Sequence, residues 1–515
     1  MTRKAIWVAI LLALAVRLYG IFWGLPYFYA IDEEDIVGKA IGYVTTGDWS
    51  PHKFSHPAST LRYILGLVFQ GAAWLRAALD SSFSTASFAA WALEDPTFFY
   101  VAGRALTMLC AALTVYLVYR IGTLAFRPRV GLYAVLLLAA SYLHVRLSLL
   151  ATSDVPLTFF VTLLAWLALR LAQEDRTSLY VTAGIALGAG LATKYPALIA
   201  ALPILAAHLS RPQPGSTAWR RLLDIRLWGC FALALVVFVA LTPFFLPELE
   251  TALASIRAEF RADHVGANRL PGLQNYWWYF REPLSWGYGW LIELLAAAGL
   301  LIALRRPKRA DGVLLAFMVP FYLVIANGSL RWARWIAPLL PFLALYAGLA
   351  LDRLAALLDG RPLARRWPSW AWGVLLPLLI VAPMVRSDLQ AIRELNREDT
   401  RTLATRWIEA HIAVGARIVH EAYTARVLPT RYDVLAVDTL GRQPIAAYAR
   451  DGYAYALASS RMYDRYLAEA TQYPAHAATY RDLFACGELL HEVAPVEGVT
   501  QGPTVRVYAL AGCAP

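Results

Sequence analysis

The chain opens MTRKAIWVAILLALAVRLYGIFWGLPYFYAIDEED (residues 1–35), and the reading of this stretch decides the fold class. Arg3 and Lys4 precede an apolar run from Ala5 to Gly24, close to the ~20 residues needed to cross a bilayer. No small-residue cleavage site follows, so the run reads as a first spanning helix with its N-terminus inside. After the membrane-edge aromatics Phe22, Trp23, Tyr27, Phe28 and Tyr29 come four consecutive carboxylates, Asp32, Glu33, Glu34 and Asp35. Adjacent carboxylates repel one another and are poorly solvated beside lipid, so a cation or a proton has to compensate them. The cluster reads either as a solvated loop edge or as a place where a carboxylate serves as general base or binds a divalent cation.

The rest of the chain has the same apolar character. Of 515 residues 59% are hydrophobic and 16% charged, with a mean hydropathy of +0.49, whereas soluble domains are roughly half apolar and about a quarter charged. Further apolar segments lie near 98–119, 130–149, 155–172, 179–193, 196–209, 227–243, 286–304, 313–326, 335–351 and 371–386, which with the first makes about eleven spans. The formal charge of +11 does not point to nucleic acid. Residues 387–515 carry 13 Arg and 15 Asp plus Glu, net −2, leaving +13 for residues 1–386, as basic inner loops would produce. Four such loops are marked by Arg120, Arg127 and Arg129; Arg211, Arg220, Arg221 and Arg226; Arg305, Arg306, Lys308 and Arg309; and Arg353, Arg361, Arg365 and Arg366. They alternate consistently only if Leu61 to Leu79, interrupted by Arg62, Gln70 and Arg76, lies at the outer interface as an amphipathic helix. The N-terminus is then cytoplasmic, and the loop after Gly24, the turn at Asp154, the junction at Lys194, segment 244–285 and the tail share the outer side.

Two domains are expected: a transmembrane catalytic domain over 1–386 and a small extracytoplasmic α/β domain over 387–515. In the tail, Thr402 to Ile412 and Arg461 to Ala470 read as helices, and Ala416 to His420, Val434 to Val437 and Val505 to Leu510 as strands. Cys486 and Cys513 both fall there, and an oxidising outer compartment permits them to pair.

Several ionisable groups gather on the outer edge. Asp154 follows His144 and Arg146 in HVRLSLLATSDVPLTFF (residues 144–160), and it is either a helix cap ahead of Pro156 or part of a functional cluster. Lys194, in GLATKYP (residues 190–196), is one of only five lysines and sits between two apolar helices. It reads as a snorkelling side chain or as a point charge for a phosphate. Arg104 lies within the second span, and Arg331 and Arg334 stand among tryptophans at an outer boundary, where interface anchors also occur. The aromatics from Tyr276 to Trp290 read as a membrane belt more readily than as a sugar-stacking platform. Acid, base and cations on one outer face suit transfer of a group from a lipid phosphate.

These residues resemble a known family, the polytopic GT-C glycosyltransferases of family 39 type, which includes protein O-mannosyltransferases and is similar to lipid A aminoarabinose transferases. The resemblance rests on Asp32-Glu33, Phe54-Ser-His56-Pro57, Arg104, His144-Val-Arg146 through Ser148 to Asp154-Val-Pro, Gly190 to Tyr195, and Arg334 to Pro341, in that order along residues 1 to about 350. It implies Asp32 as the catalytic base, Glu33 and Asp154 positioning acceptor or metal, and Lys194, Arg104 and Arg334 holding the donor phosphate. His56, His144, Arg146 and His264 are further candidates for substrate binding, and Asp32 and Asp154 for a divalent metal. Some relatives carry His after the Ser of the second motif, where this chain has Leu149, which weakens a metal site there. The expected partners are a polyprenyl-phosphate sugar donor, a lipid, glycan or protein acceptor, and membrane lipids, at a bacterial inner membrane. The competing reading is a multi-pass transporter or flippase of a lipid-linked or anionic substrate, but the sequence shows no convincing internal duplication of the kind transporters carry.

Overall fold

The computed structural model describes residues 2–27, 29–55, 59–211, 217–259, 261, 263–359 and 371–513. The chain forms two compact units. The first comprises Met1–Ile21, Asp32–Asp263 and Arg269–Leu389, and the second Phe22–Ile31, His264–Asn268 and Gln390–Pro515.

The first unit is a helical membrane bundle, and the chain is an integral multi-pass membrane protein. Among the described residues six helices are long and apolar enough to span: Thr97–Ala125, Asp154–Leu171, Ala218–Leu241, Arg309–Asn327, Ala333–Asp359 and Ala371–Leu395. Two bent pairs, Pro128–Ala139 with Tyr142–Ser148 and Gln274–Tyr288 with Trp290–Arg305, pass together. Three shorter apolar helices, Ala5–Leu18, Thr177–Thr193 and Tyr195–Ser210, complete the set. These fall on the apolar segments expected from sequence, although six of them, counting single helices alone, reach full spanning length.

Burial separates interior helices from peripheral ones. The apolar window of Ala333–Asp359 is 89% buried and that of Ala371–Leu395 only 11%, so the first is core and the second faces its surroundings. Helix Thr177–Thr193 presents Gly184 and Gly188 to helix Ile225–Leu241. A Cβ on either would come within 2.6 Å of Cys230 O or 2.5 Å of Ala234 O, so this close crossing requires the small residues. The amphipathic helix expected over 61–79 spans Ser59–Leu79 and is not among the candidate spans. It buries Leu61, Arg62, Leu65 and Phe69 and exposes Leu67, Trp74, Leu75 and Leu79, which leaves a broad apolar surface uncovered along the helix.

The second unit is a five-stranded sheet with helices on both faces. Its strands are β1 (Arg417–Glu421), β2 (Asp433–Val437), β3 (Tyr455–Ser459), β4 (Glu488–Val493) and β5 (Val505–Ala509). The order is β2-β1-β3-β5-β4; β1 is parallel to both β2 and β3, while β5 is antiparallel to β3 and β4. Alternation along the strands feeds two cores. Val419, Ala456, Ala458 and Tyr508 pack with Met462, Tyr463 and Leu483 on one side, and Ile418, Leu457, Val505 and Val507 with Ala404 and Ile408 on the other. A disulfide joins Cys486 to Cys513. The unit also recruits two short segments from outside the expected tail: Arg401 lies 3.9 Å over the Tyr29 ring, and the Gly266 N–H donates to Glu469.

Candidate active site

The four carboxylates stand at the start of a helix, Ile31–Thr46, with Asp32, Glu33 and Glu34 in its first turn. Unpaired N–H groups and the positive end of the helix dipole favour acidic side chains there. Successive residues on a helix point about 100° apart, so the carboxylates leave in different directions, and three of the four meet a different cation. Glu33 Oε1 and Oε2 accept from Arg104 Nε and Nη2 at 2.8 and 2.7 Å, with both side chains fully buried. Asp35 Oδ2 accepts from the buried Arg62 at 2.7 Å. Asp32 Oδ2 accepts from Arg334 Nη1 at 2.6 Å. Glu34 has no such ion pair among the described residues. Its side chain reaches the surface, yet desolvation, then the Asp35 charge, push its carboxyl above the ordinary range.

Asp154 is the second half of the site. It begins helix Asp154–Leu171, whose N-cap Ser153 makes no side-chain capping bond. The Asp154 carboxylate accepts from Lys194 Nζ at 2.8 Å on Oδ1 and faces Arg334 Nε at 3.7 Å on Oδ2. Lys194 is placed by a helix end: Thr177–Thr193 stops, Lys194 is extended at φ −162°, and Pro196 has no N–H with which to continue the ladder. Arg334 opens the 3-10 helix Ala333–Leu339 and stacks 5.0 Å over Trp332.

The result is an alternating chain, Asp32–Arg334–Asp154–Lys194, built from segments far apart in sequence. Side-chain exposure falls along it from 55% at Asp32 through 27% at Arg334 to 6% at Asp154 and 8% at Lys194. One end is open to an incoming molecule, and the other is fixed in protein. Two negative and two positive charges balance, so an arriving anion must compete for Arg334 or Lys194 with the carboxylates that hold them.

The Glu33–Arg104 pair frames this chain. Glu33 Oε1 also accepts the Ala151 N–H at 2.8 Å, three residues before Asp154, and Arg104 Nη1 donates to the Ile21 carbonyl at 2.8 Å. Gly103 permits the approach, because a Cβ there would lie 2.7 Å from Ala151 Cβ and 3.0 Å from Val37 Cγ2. Arg104 is the residue expected to hold a donor phosphate. Its guanidinium is buried and bidentate on Glu33, which makes both residues struts between the first loop, the second span and the Asp154 turn.

The remaining candidates are placed as follows. His144 is fully buried, 2.9 Å from Arg17 Nη2, and Arg17 Nε donates to Ser148, so His144 belongs to an interior network and not to an open substrate surface. Arg146 is half-buried on the same short helix. His264 lies in the second unit, its Nδ1 at 2.9 Å from the Val265 carbonyl, and is not part of the alternating chain. His56 lies outside the described residues. Leu149 is wholly buried, and among the described residues no three His, Cys, Asp or Glu side chains gather in a metal-binding group. Asp32 and Asp154 as placed here fit cationic side chains better than a shared metal ion. Sequence reading missed Arg17 and the Arg62–Asp35 pair; the signal available was an arginine within an otherwise apolar or amphipathic run.

The chain has the fold of the GT-C glycosyltransferases. ArnT from Cupriavidus metallidurans bound to undecaprenyl phosphate aligns with a TM-score of 0.56 at 16% identity, covering 99% of this chain and 98% of that one. The Archaeoglobus fulgidus oligosaccharyltransferase tethered with an acceptor peptide aligns with a TM-score of 0.58 at 13% identity over 98% of this chain and 74% of that one. The same archaeal enzyme, AglB, in complex with an inhibitory peptide and a dolichol-phosphate aligns at 0.56 and 12% over 93% and 71%. More particularly, residues 97–243 match the family described as dolichyl-phosphate-mannose-protein mannosyltransferase. No curated protein sequence matches the chain.

Proposed function

We propose that the chain transfers a sugar from a polyprenyl-phosphate donor to a hydroxyl acceptor on the outer side of the membrane, with Asp32 as general base and inversion at the anomeric carbon. The observation that carries this reading is the alternating Asp32–Arg334–Asp154–Lys194 chain, with its exposed carboxylate end and buried cationic end. The fold supports it, since solved relatives of this fold bind undecaprenyl phosphate or a dolichol-phosphate.

Displacement at the anomeric carbon leaves negative charge on the departing phosphate, while the attacking hydroxyl must lose its proton. Arg334 couples the two events. It is shared between Asp32 and Asp154, and a phosphate that draws its guanidinium away frees the Asp32 carboxylate oxygen for the acceptor hydroxyl. Donor arrival thereby leaves Asp32 Oδ2 open to accept a hydrogen bond from the acceptor hydroxyl. Asp154 holds Lys194 and Arg334 in reach, and Glu33 with Arg104 fixes the spacing of both loops. One displacement with one base inverts the anomeric centre, whereas retention needs a second carboxylate as nucleophile about 5 Å away.

The basic loops support a cytoplasmic N-terminus, with Asp32, Lys194 and the second unit outside. The experiment is incubation of the purified chain in liposomes with radiolabelled polyprenyl-phosphate sugars and a panel of lipid, glycan and peptide acceptors. Label transferred to acceptor or water supports the enzyme; label carried across the bilayer still attached to its lipid favours a flippase instead.

A further inference from the structure

In an open sheet with parallel strands, ligands settle outside the carboxyl ends of the strands, where neighbouring strands send their connections in opposite directions. The second unit has one such point. Strand β1 connects to β2 on one side and pairs with β3 on the other, in the order β2-β1-β3. The crevice between β1 and β3 is therefore the place to search, and the residues just past the two strand ends are Tyr423, after β1, and Ser460 to Arg465, after β3.

Those residues carry concentrated positive charge. Helix Ser460–Ala468 presents Arg461 and Arg465, spaced i, i+4 on one face. Their Cζ atoms lie 5.5 and 5.7 Å from the same Tyr423 ring centroid, so both guanidinia meet around one aromatic. Like charges at this spacing destabilise a helix, and a cation in the first turn opposes the helix dipole. Neither arginine has a carboxylate partner within 4 Å among the described residues, whereas nearby Arg401 is held bidentate by Asp399. Tyr423 takes φ 65°, a conformation that L side chains with a Cβ rarely adopt, in a turn closed by Thr424 Oγ1 donating to the Glu421 carbonyl. At the crevice floor the Glu421 carboxyl already accepts the N–H groups of Ser459 and Leu440, so an incoming anion is met by the arginines and not by these amides.

We propose that this crevice is an anion site for a phosphate-bearing ligand, with Arg461 and Arg465 as its charged jaws and the Tyr423 ring between them. Two arginines in one plane-facing pair match phosphate oxygens through charge-assisted hydrogen bonds, which a lone lysine would not do. The site lies wholly in the second unit and does not depend on the transfer chemistry assigned to Asp32 and Lys194. Its phosphate can be carried by a lipid headgroup or arrive free, and the test separates the two.

The test is amide hydrogen exchange of the purified full chain in detergent, followed on peptides covering 417–426 and 455–468. Inorganic phosphate, and separately mixed micelles of phosphatidic acid with diacylglycerol micelles as control, are titrated in. Slowed exchange at residues 422–424 and 460–465 on phosphate alone assigns a free ligand, and slowed exchange only with phosphatidic acid assigns a lipid headgroup. The R461Q/R465Q double variant is expected to weaken the apparent affinity at least ~10-fold, with β5 exchange unchanged as the sign that the sheet is intact. R461K is expected to retain part of the binding. No protection by either probe, or equal protection in the double variant with an intact β5, overturns the proposal.

Discussion

Removing Glu33 is the most informative structural perturbation, because the residue holds three segments and touches solvent nowhere. Glu33→Met deletes both bonds to Arg104 and the acceptor for the Ala151 N–H, leaving a guanidinium buried without its counter-charge. Breaking a buried pair from one side typically costs about 3–5 kcal/mol, much of it the penalty of the orphaned charge. Glu33→Gln keeps one oxygen for both the Ala151 N–H and Arg104 Nε, so the difference between the two variants reports those two bonds together, about 2–4 kcal/mol. Replacing both partners, Glu33→Met with Arg104→Met, removes the orphan and should recover a large part of the loss, giving a coupling energy well beyond additivity. The assay is reversible unfolding of the purified chain by SDS titration from mixed micelles, monitored by tryptophan fluorescence. A Glu33→Met loss below about 1 kcal/mol, or a double variant as unstable as the sum of the singles, would refute the strut.

Two further predictions concern the second unit. Replacing Cys486 and Cys513 by Ser opens a link between residues 27 apart, and should lower the stability of that unit by about 2–4 kcal/mol, read from hydrogen exchange of β5 in the full chain. Burial pushes the Glu421 carboxyl up to about 7, with the Ser459 N–H, Tyr480 hydroxyl and Leu440 N–H opposing the shift. A carboxyl whose folded pKa lies above its unfolded one keeps its full stability contribution below the unfolded value of 4.5 and loses it as the pH rises through about 7. Protection of β3 should therefore decline between pH 5 and 7.5, and Glu421→Gln should flatten that decline; an unchanged slope in the variant would assign it to another group.

Much of this was legible in the sequence because membrane crossing leaves a coarse signature. Apolar runs marked the bundle, Arg62, Gln70 and Arg76 marked Ser59–Leu79 as different, and four adjacent carboxylates announced compensating cations. Which cation each carboxylate takes was not legible. Glu33 finds Arg104 71 residues away and Asp32 finds Arg334 302 residues away, and no local pattern encodes such pairings. That is why Arg104, read as a phosphate ligand, is instead locked in the interior. In the tail, β1, β2 and β5 were visible as apolar runs, but β3, YALAS, and β4, ELLHEV, were not. Alanine, serine and glutamate have weak strand preferences, and it is pairing, of β3 with β1 and β5 and of β4 with β5, that commits these segments to the sheet.

The central claim is that Asp32 takes the proton while Arg334 and Lys194 hold the phosphate. Its most direct test is single-turnover transfer by Asp32→Asn in purified, expression-matched protein, with donor binding measured on the same sample. Asparagine keeps the size and hydrogen bonding of the side chain but has no basic form, so the rate should fall by about two to four orders of magnitude with donor affinity largely kept. Near-normal transfer by Asp32→Asn would contradict the account and move the base to another carboxylate, with Glu34 the first to examine.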